Sequence, residues 1–436
     1  MSEAEIEGEL NPRAGAQSPR RNVLQVLGPG LITGASDDDP SGIATYSQAG
    51  AQFGYDLGWT LLFSWPLMCA IQEISARIGR VTGHGVAGNL KRHYPSIFLF
   101  PIVLLLVAAN TINLGADLGA MAAGLKLLIA APAGMLVAAF AILCLGLEIF
   151  LSYNRYVSIL KWLTLTLFAY VGVALVVKTP WVEMLHHLVV PHISLHAGYL
   201  TVVVAVLGTT ISPYLFFWQA EEEVEEVQQH EGAKPLERAP EQAKPEFRRI
   251  RVDTMIGMGF SNIVALFIII STAATLHAHG VTNIQTSAQA AEALRPICGP
   301  FVFVVFALGI VGTGLLAVPV LAGSAAYAVG EAIGVHVGLS RKPNRAKAFY
   351  SILAGVVLLG ALLNFTPIDP IKALFWSAVI NGVVAVPVMI MMMLMASNAK
   401  TMGRFVLPGA LKAVGWVATA VMAAAAVGMF ATMGAS

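Results

Sequence analysis

Asp37-Asp38-Asp39-Pro40-Ser41-Gly42 interrupts an apolar stretch, roughly Val23 to Phe53, that is otherwise long enough to cross a bilayer. Three consecutive carboxylates are foreign to a membrane helix. At mid-membrane each costs about 2.5–3.5 kcal/mol on the insertion scale, so three ionised together would cost on the order of 8–10 kcal/mol. Pro40 adds a second break, because proline removes an N–H and blocks the carbonyl one turn back. Opened backbone at this depth is tolerated only where it is buried in protein or lines a wet cavity. Leu24–Ala35 and Ile43–Phe53 flank the acids almost symmetrically. The stretch therefore predicts a helix broken at its midpoint, with acids and freed carbonyls turned toward a cation. The competing reading places the acids at a membrane surface and shortens the apolar segment.

The rest of the chain supports a polytopic membrane protein. It has 436 residues, 57% hydrophobic and 12% charged, with a mean hydropathy of +0.73, against about 25% charged in soluble domains. A net charge of +1 points to no nucleic-acid partner. Cys69, Cys144 and Cys298 lie far apart in apolar segments and read as core residues, without a disulfide framework or zinc site. Residues 1–22 read as a disordered cytoplasmic tail. Eleven spans follow, at about 23–53, 57–79, 97–121, 132–151, 157–177, 198–219, 254–276, 300–330, 347–365, 370–396 and 408–432. On this count 22 of the 26 Lys and Arg fall on the side of the N-terminal tail. The positive-inside rule then puts the N-terminus in the cytoplasm and the C-terminus outside, in the plasma membrane.

Span 6 is interrupted as well. Gly208-Thr209-Thr210-Ile211-Ser212-Pro213-Tyr214 sits between the apolar runs Val202–Leu207 and Leu215–Trp218. Two interrupted spans at matching places in two halves point to a transporter of inverted repeats with its site between the breaks. An ordinary proline kink satisfied by Thr and Ser hydroxyls is the alternative for this span taken alone. The repeats fall at about 23–177 and 198–396, with an extra helix at 408–432. Glu221–Gln229 reads as a helix extension with a solvated face, a regulatory cation site being the alternative, and the stretch to Arg251 as a flexible cytoplasmic loop. Asn113 and Asp117 in span 3 share a helix face, and an intramembrane Asp is a functional candidate by default. Glu73 and Arg77 read as an intrahelical ion pair, and Glu148 as facing Arg155. The histidines at 186, 187, 192, 196, 277 and 279 read as residues of outer loops. Gly309, Gly312, Gly314 and Gly323 suit close helix packing, and the Met run 389–395 reads as core filler or lipid-facing.

Gly28-Pro29-Gly30, Asp39-Pro40-Ser41-Gly42 and Thr209–Tyr214 together resemble the Nramp superfamily of divalent-metal transporters, over nearly the whole chain. The resemblance implies an all-α LeuT fold: two inverted five-helix repeats plus an eleventh helix, with helices 1 and 6 broken at the metal site. The motifs also depart from the family. Its helix 1 pattern Asp-Pro-Gly-Asn reads Asp39-Pro40-Ser41-Gly42 here, so the Asn ligand is absent. Its helix 6 pattern Ala-x-x-Met-Pro-His reads Thr209-Thr210-Ile211-Ser212-Pro213-Tyr214, so Met has become Ser212 and the proton-linked His has become Tyr214. Its helix 3 pattern Asp-Leu-Ala-Glu reads Asn113-Leu114-Gly115-Ala116, and both acids are lost.

These departures resemble the Nramp-related magnesium transporter branch, which implies uptake of Mg²⁺ and Mn²⁺ without coupled protons. Losing a soft thioether and keeping carboxylate, carbonyl and hydroxyl leaves a hard oxygen site. Expected metal residues are Asp39 as the charged ligand, carbonyls near Gly42 and Thr209, the hydroxyls of Thr209 and Ser212, and Asp117 across the cavity. Asp37 and Asp38 either cap the half-helix or draw cations to an entrance. No cofactor is expected; the divalent ion is cargo, and the other partner is the lipid bilayer. The alternatives are a proton-coupled Mn²⁺/Fe²⁺ carrier, an organic-substrate carrier on the same fold, and a membrane enzyme. The last lacks HExxH, GxSxG or any paired-acid nucleophile motif.

Overall fold

The computed structural model describes residues 33–34, 36–150, 165–230, 232–341 and 343–434. The tail, most of the first half of span 1 with Gly28-Pro29-Gly30, and the start of span 5 with Arg155 lie outside the described residues. Helices account for every regular element among the described residues. Those of six or more residues are α1 Pro40–Phe53, α2 Gly58–Thr82, α3 Val86–His93, α4 Ser96–Lys126, α5 Ala133–Phe150, α6 Phe168–Val176, α7 Trp181–Val189, α8 Ala197–Thr210, α9 Pro213–Gln229, α10 Ala243–Thr275, α11 Ser287–Glu292, α12 Val302–Ile333, α13 Lys347–Leu363, α14 Pro370–Ala396 and α15 Gly409–Met433.

Each expected span has its helix. Seven segments are long and apolar enough to cross a membrane: α4, α5, α8–α9, α10, α12, α14 and α15, several with short extensions. The others fall short for visible reasons. Span 1 is split at its acids, α2 is diluted by Gln72 and Glu73, and α13 has 17 residues. Span 5 is described only from Leu165, and α7 follows it at 118°. That helix, with Trp181 and Val182 outward, occupies a segment expected to be loop.

The two interrupted spans lie at the centre. The most apolar 18-residue window of α8–α9 is wholly buried, whereas 33% of the windows of α5 and α15 is. Outer faces carry Ile97, Leu104, Ile142, Leu358 and Phe430, exposed as lipid contact requires. With no hydrophobic drive between helices inside lipid, close approach needs small residues. A Cβ on Gly208 would lie 2.1 Å from the Ala378 carbonyl oxygen, so α8 crosses α14 at backbone contact. A Cβ on Gly79 would lie 2.0 Å from the Ala220 carbonyl oxygen, which sets α2 against α9 the same way.

Several sequence expectations are met. Arg77 pairs with Glu73 at 2.6 Å and lies over the Phe247 ring at 4.2 Å. Arg251 joins that pair at 3.2 Å. All three cysteines are free; Cys144 is a core residue as expected, whereas Cys69 and Cys298 are only half-buried. Met389, Met391, Met392, Met393 and Met395 are buried, so the Met run fills core. His277 differs from a free loop residue: its Nδ1 lies 2.8 Å from the Ala51 carbonyl. Two expectations need correction. Glu221, Glu223 and Glu225 are buried, because α9 packs that face against α2 and α12 rather than presenting it to solvent. The stretch leading to Arg251 is helical from Ala243 onward, as the first turns of α10.

Candidate metal site

The chain is helical through Asp37, bends at Asp38 and is helical again from Pro40. Asp39 between them is extended, with φ −70° and ψ 170°. Pro40 causes this: its ring pushes the preceding residue out of the helical region. As the first residue of α1 it sacrifices only an N–H that had no partner. Asp39 then caps α1. Its Oδ1 accepts from the Gly42 N–H at 2.7 Å and from the Ser41 hydroxyl at 2.7 Å, and its Oδ2 accepts from Asn113 Nδ2 at 2.9 Å. A carboxylate has about four acceptor positions; three are filled by these bonds.

Asn113 carries the network onward. Its Nδ2 lies 3.5 Å from Asp117 Oδ2, and its Oδ1 accepts from Asn381 Nδ2 of α14 at 3.5 Å. Asp117 Oδ1 and Asn381 Oδ1 are buried without a donor among the described residues. Asp117 is wholly buried and lies within α4, which continues to Lys126. On span 6, α8 ends at Thr210, and Ile211 and Ser212 leave helical geometry before Pro213 starts α9. The Ser212 hydroxyl donates to the carbonyls of Gly208 at 2.5 Å and Thr209 at 2.9 Å, occupying the carbonyls that the break frees. Thr209 Oγ1 donates to the Tyr46 hydroxyl at 2.9 Å. The Tyr214 hydroxyl donates to the Ser36 carbonyl at 3.2 Å, linking the two breaks.

The structure thus brings Asp39, Gly42, Asn113 and Asp117 into one bonded chain, with Thr209 joined to α1 through Tyr46. Gly42 is closely surrounded: a Cβ there would sit 3.3 Å from the Tyr46 ring and 3.4 Å from Asp39 Oδ1. Ser212 bonds within its own span. Asp37 and Asp38 form a separate lobe. Ser261 of α10 donates to Asp37 Oδ2 at 2.6 Å and lies 3.1 Å from Asp38 Oδ1, while Asp37 Oδ1 has no donor among the described residues. Sequence reading passed over Tyr46 and Ser261. Their signal is weak: a hydroxyl on an otherwise ordinary helix.

Carboxyls buried this deeply need a proton or a cation to offset their charge. Asp37, Asp38, Asp39 and Asp117 are each at most 2% exposed. Among the described residues none forms an ion pair with Lys, Arg or His. Buried charge without an opposite charge is strongly unfavourable. No three acidic, His or Cys side chains among the described residues converge closely enough to hold an ion by themselves. An ion at this site must therefore be completed by carbonyls, amide and hydroxyl oxygens and water.

A family model described as "Natural resistance-associated macrophage protein-like" matches residues 30–432. The chain belongs to the Nramp family. It is 27% identical over 375 residues to the "Divalent metal cation transporter MntH" of Acidiphilium cryptum, covering 82% of each chain. It is 26% identical over 434 residues to the protein of that name in Burkholderia ambifaria, covering 96% of this chain and 91% of the other. The fold matches a crystal structure of the Eremococcus coleocola manganese transporter in complex with an aromatic bis-isothiourea compound. The TM-score there is 0.68 at 17% identity, covering 92% of this chain and 85% of that one. The Nramp neighbours have the LeuT fold, and this chain shares it, with its first and sixth spans broken.

Proposed function

We propose that this Nramp protein is a carrier that takes up divalent metal ions, Mg²⁺ and also Mn²⁺, partly hydrated and without coupled protons. The observation that carries this reading is the donor set: the side chains bonded into the site are Asp39, Asn113, Asp117, Ser41, Thr209 and Tyr46. They offer carboxylate, amide, hydroxyl and phenol oxygen. Mg²⁺ takes oxygen ligands in octahedral array and sheds water reluctantly, whereas a thioether favours softer transition metals. Ser212, where the family has Met, is small and leaves room for ion-bound water.

Proton independence is read from Asn113 and Tyr214. Asn113 bonds Asp39 through an amide that does not titrate near neutral pH, at a position where the family carries an acid. Tyr214 replaces the family's His with a group that ordinarily keeps its proton at neutral pH. Uptake then runs down the electrochemical gradient. An inside-negative potential contributes about 2.3 kcal/mol per elementary charge per 100 mV, twice that for a divalent ion. The repeats, at about 23–177 and 198–396, rock around the fixed site. The cytoplasmic N-terminus, the outer C-terminus and the assignment to the magnesium branch belong to this proposal.

The test is Mg²⁺ influx into proteoliposomes containing the full chain. Wild type is expected to admit Mg²⁺ and Asp39→Ala to admit none. Equal influx in the two would remove Asp39 from the centre of the site and the proposal with it.

A further inference from the structure

A second group of carboxyls lies at the far end of α9, on the side the charge distribution assigns to the cytoplasm. Most of them have partners. Glu223 pairs with Arg249, and Glu225 Oε1 accepts from the Tyr327 hydroxyl at 2.8 Å. Glu221 differs: it is 2% exposed, and its Oε1 has no donor among the described residues. That oxygen is turned toward another carboxylate, Glu331 near the end of α12. Glu331 is itself held in place by the Gly85 N–H at 2.9 Å and the Gly88 N–H at 2.6 Å, at the start of α3.

Gly85 marks where the two carboxylates meet. A Cβ there would lie 1.8 Å from Glu221 Oε1 and 2.8 Å from Glu331 Oε2. The two oxygens share a space that a methyl group would fill. The neighbouring positive charge belongs to the last turn of α3. Arg92 acts on Glu331 through space, and Lys91 Nζ lies 3.3 Å from the Glu331 carbonyl. Neither forms an ion pair with Glu221 among the described residues. Two carboxylates facing each other repel unless a proton or a cation lies between them. Hard divalent cations take carboxylate oxygens with carbonyls and water.

We propose that Glu221 and Glu331 bind a hard divalent cation arriving from the cytoplasmic side, and that the bound ion fastens α9 to α3 and α12. In alternating access one bundle rocks against the other around the site, and the proposed inward opening shifts α9 against α3 and α12. An ion bridging these three helices opposes that movement and slows uptake when the internal concentration is high. Binding at Glu221 and Glu331 stands independently of the transported ion; the effect on uptake rests on the proposed carrier function.

The experiment separates the two. Mn²⁺ binding is followed by the loss of its free-ion electron paramagnetic resonance signal on the purified full chain carrying Asp39→Ala, which removes the main transport ligand. That variant is expected to retain a Mg²⁺-competable Mn²⁺, and adding Glu221→Gln is expected to weaken it roughly tenfold or more. Absence of residual binding in Asp39→Ala, or residual binding that Glu221→Gln leaves unchanged, overturns the site. In proteoliposomes, Mg²⁺ loaded inside is expected to slow wild-type influx more strongly than Glu221→Gln influx, which slows only as far as the reduced gradient dictates. Equal slowing of the two overturns the regulatory role while leaving the transport reading intact.

Discussion

Asn113 Nδ2 donates to Asp39 Oδ2 at 2.9 Å, so the acid at the helix break is held by a group with no proton to give up. The bond fixes the Asp39 rotamer and supplies, at every physiological pH, the hydrogen bond that a protonated acid would supply only in acid. Asn113→Asp would set two carboxylates against each other, and they repel until one of them takes up a proton. We expect Mg²⁺ influx to fall roughly tenfold or more near neutral pH and to recover in part as the pH is lowered and the pair takes up a proton. Influx measured across a pH series checks the sign; a flat profile equal to wild type would contradict it.

Asp39 has two jobs that one substitution can separate. Asn caps helices about as well as Asp, so Asp39→Asn keeps the bond to the Gly42 N–H while losing the charge and the oxygen that accepts from Asn113. Thermal stability in detergent should stay near wild type. Influx should drop by roughly 100-fold or more, exceeding the 10–100-fold typical of losing an outer-shell partner. A variant that is stable and still active would assign Asp39 to capping alone.

Ser212 now covers the Gly208 and Thr209 carbonyls. Ser212→Met uncovers them and brings a thioether to the break. Inhibition of uptake by Cd²⁺, a soft ion, is expected to strengthen roughly tenfold while Mg²⁺ influx falls. Unchanged Cd²⁺ sensitivity would show that the side chain at 212 does not face the ion.

The crossing of α8 and α14 makes a stability prediction. Gly208→Ala would place Cβ 2.1 Å from the Ala378 carbonyl oxygen and 2.5 Å from the Gly382 nitrogen. Such overpacking costs about 1–3 kcal/mol and should lower the melting temperature. Gly146→Ala on α5, where nothing lies within 4 Å, removes a poor helix former and should leave it unchanged or slightly raised. Equal melting of the two variants would contradict the close crossing.

The breaks were legible in the sequence because carboxylates and prolines inside apolar runs have few physical explanations. Asp39, Thr209 and Asp117 could be singled out on those grounds, and the spans follow from hydropathy alone. What escaped depends on which face a helix turns inward. Tyr46 and Ser261 are ordinary residues until α8 and α1 pack beside them, and no spacing rule reveals a partner 163 or 224 residues away. The acids of α9 read as solvated for the same reason: their neighbours Arg249, Tyr327 and Glu331 come from distant helices. The helical start of α10 was hidden by its Pro, Lys and Glu composition. In the structure Arg249 on that turn pairs with Glu223 of α9, a tertiary contact that outweighs local propensity.

The most direct test of the central claim is uptake of Mg²⁺ and Mn²⁺ side by side into proteoliposomes with a pH dye trapped inside. The account predicts entry of Mg²⁺, and of Mn²⁺, with no acidification of the lumen. Mn²⁺ entry accompanied by acidification, with Mg²⁺ excluded, would contradict it: the residues at 113, 212 and 214 would then set neither selectivity nor coupling, and the chain would be a proton-coupled transition-metal carrier.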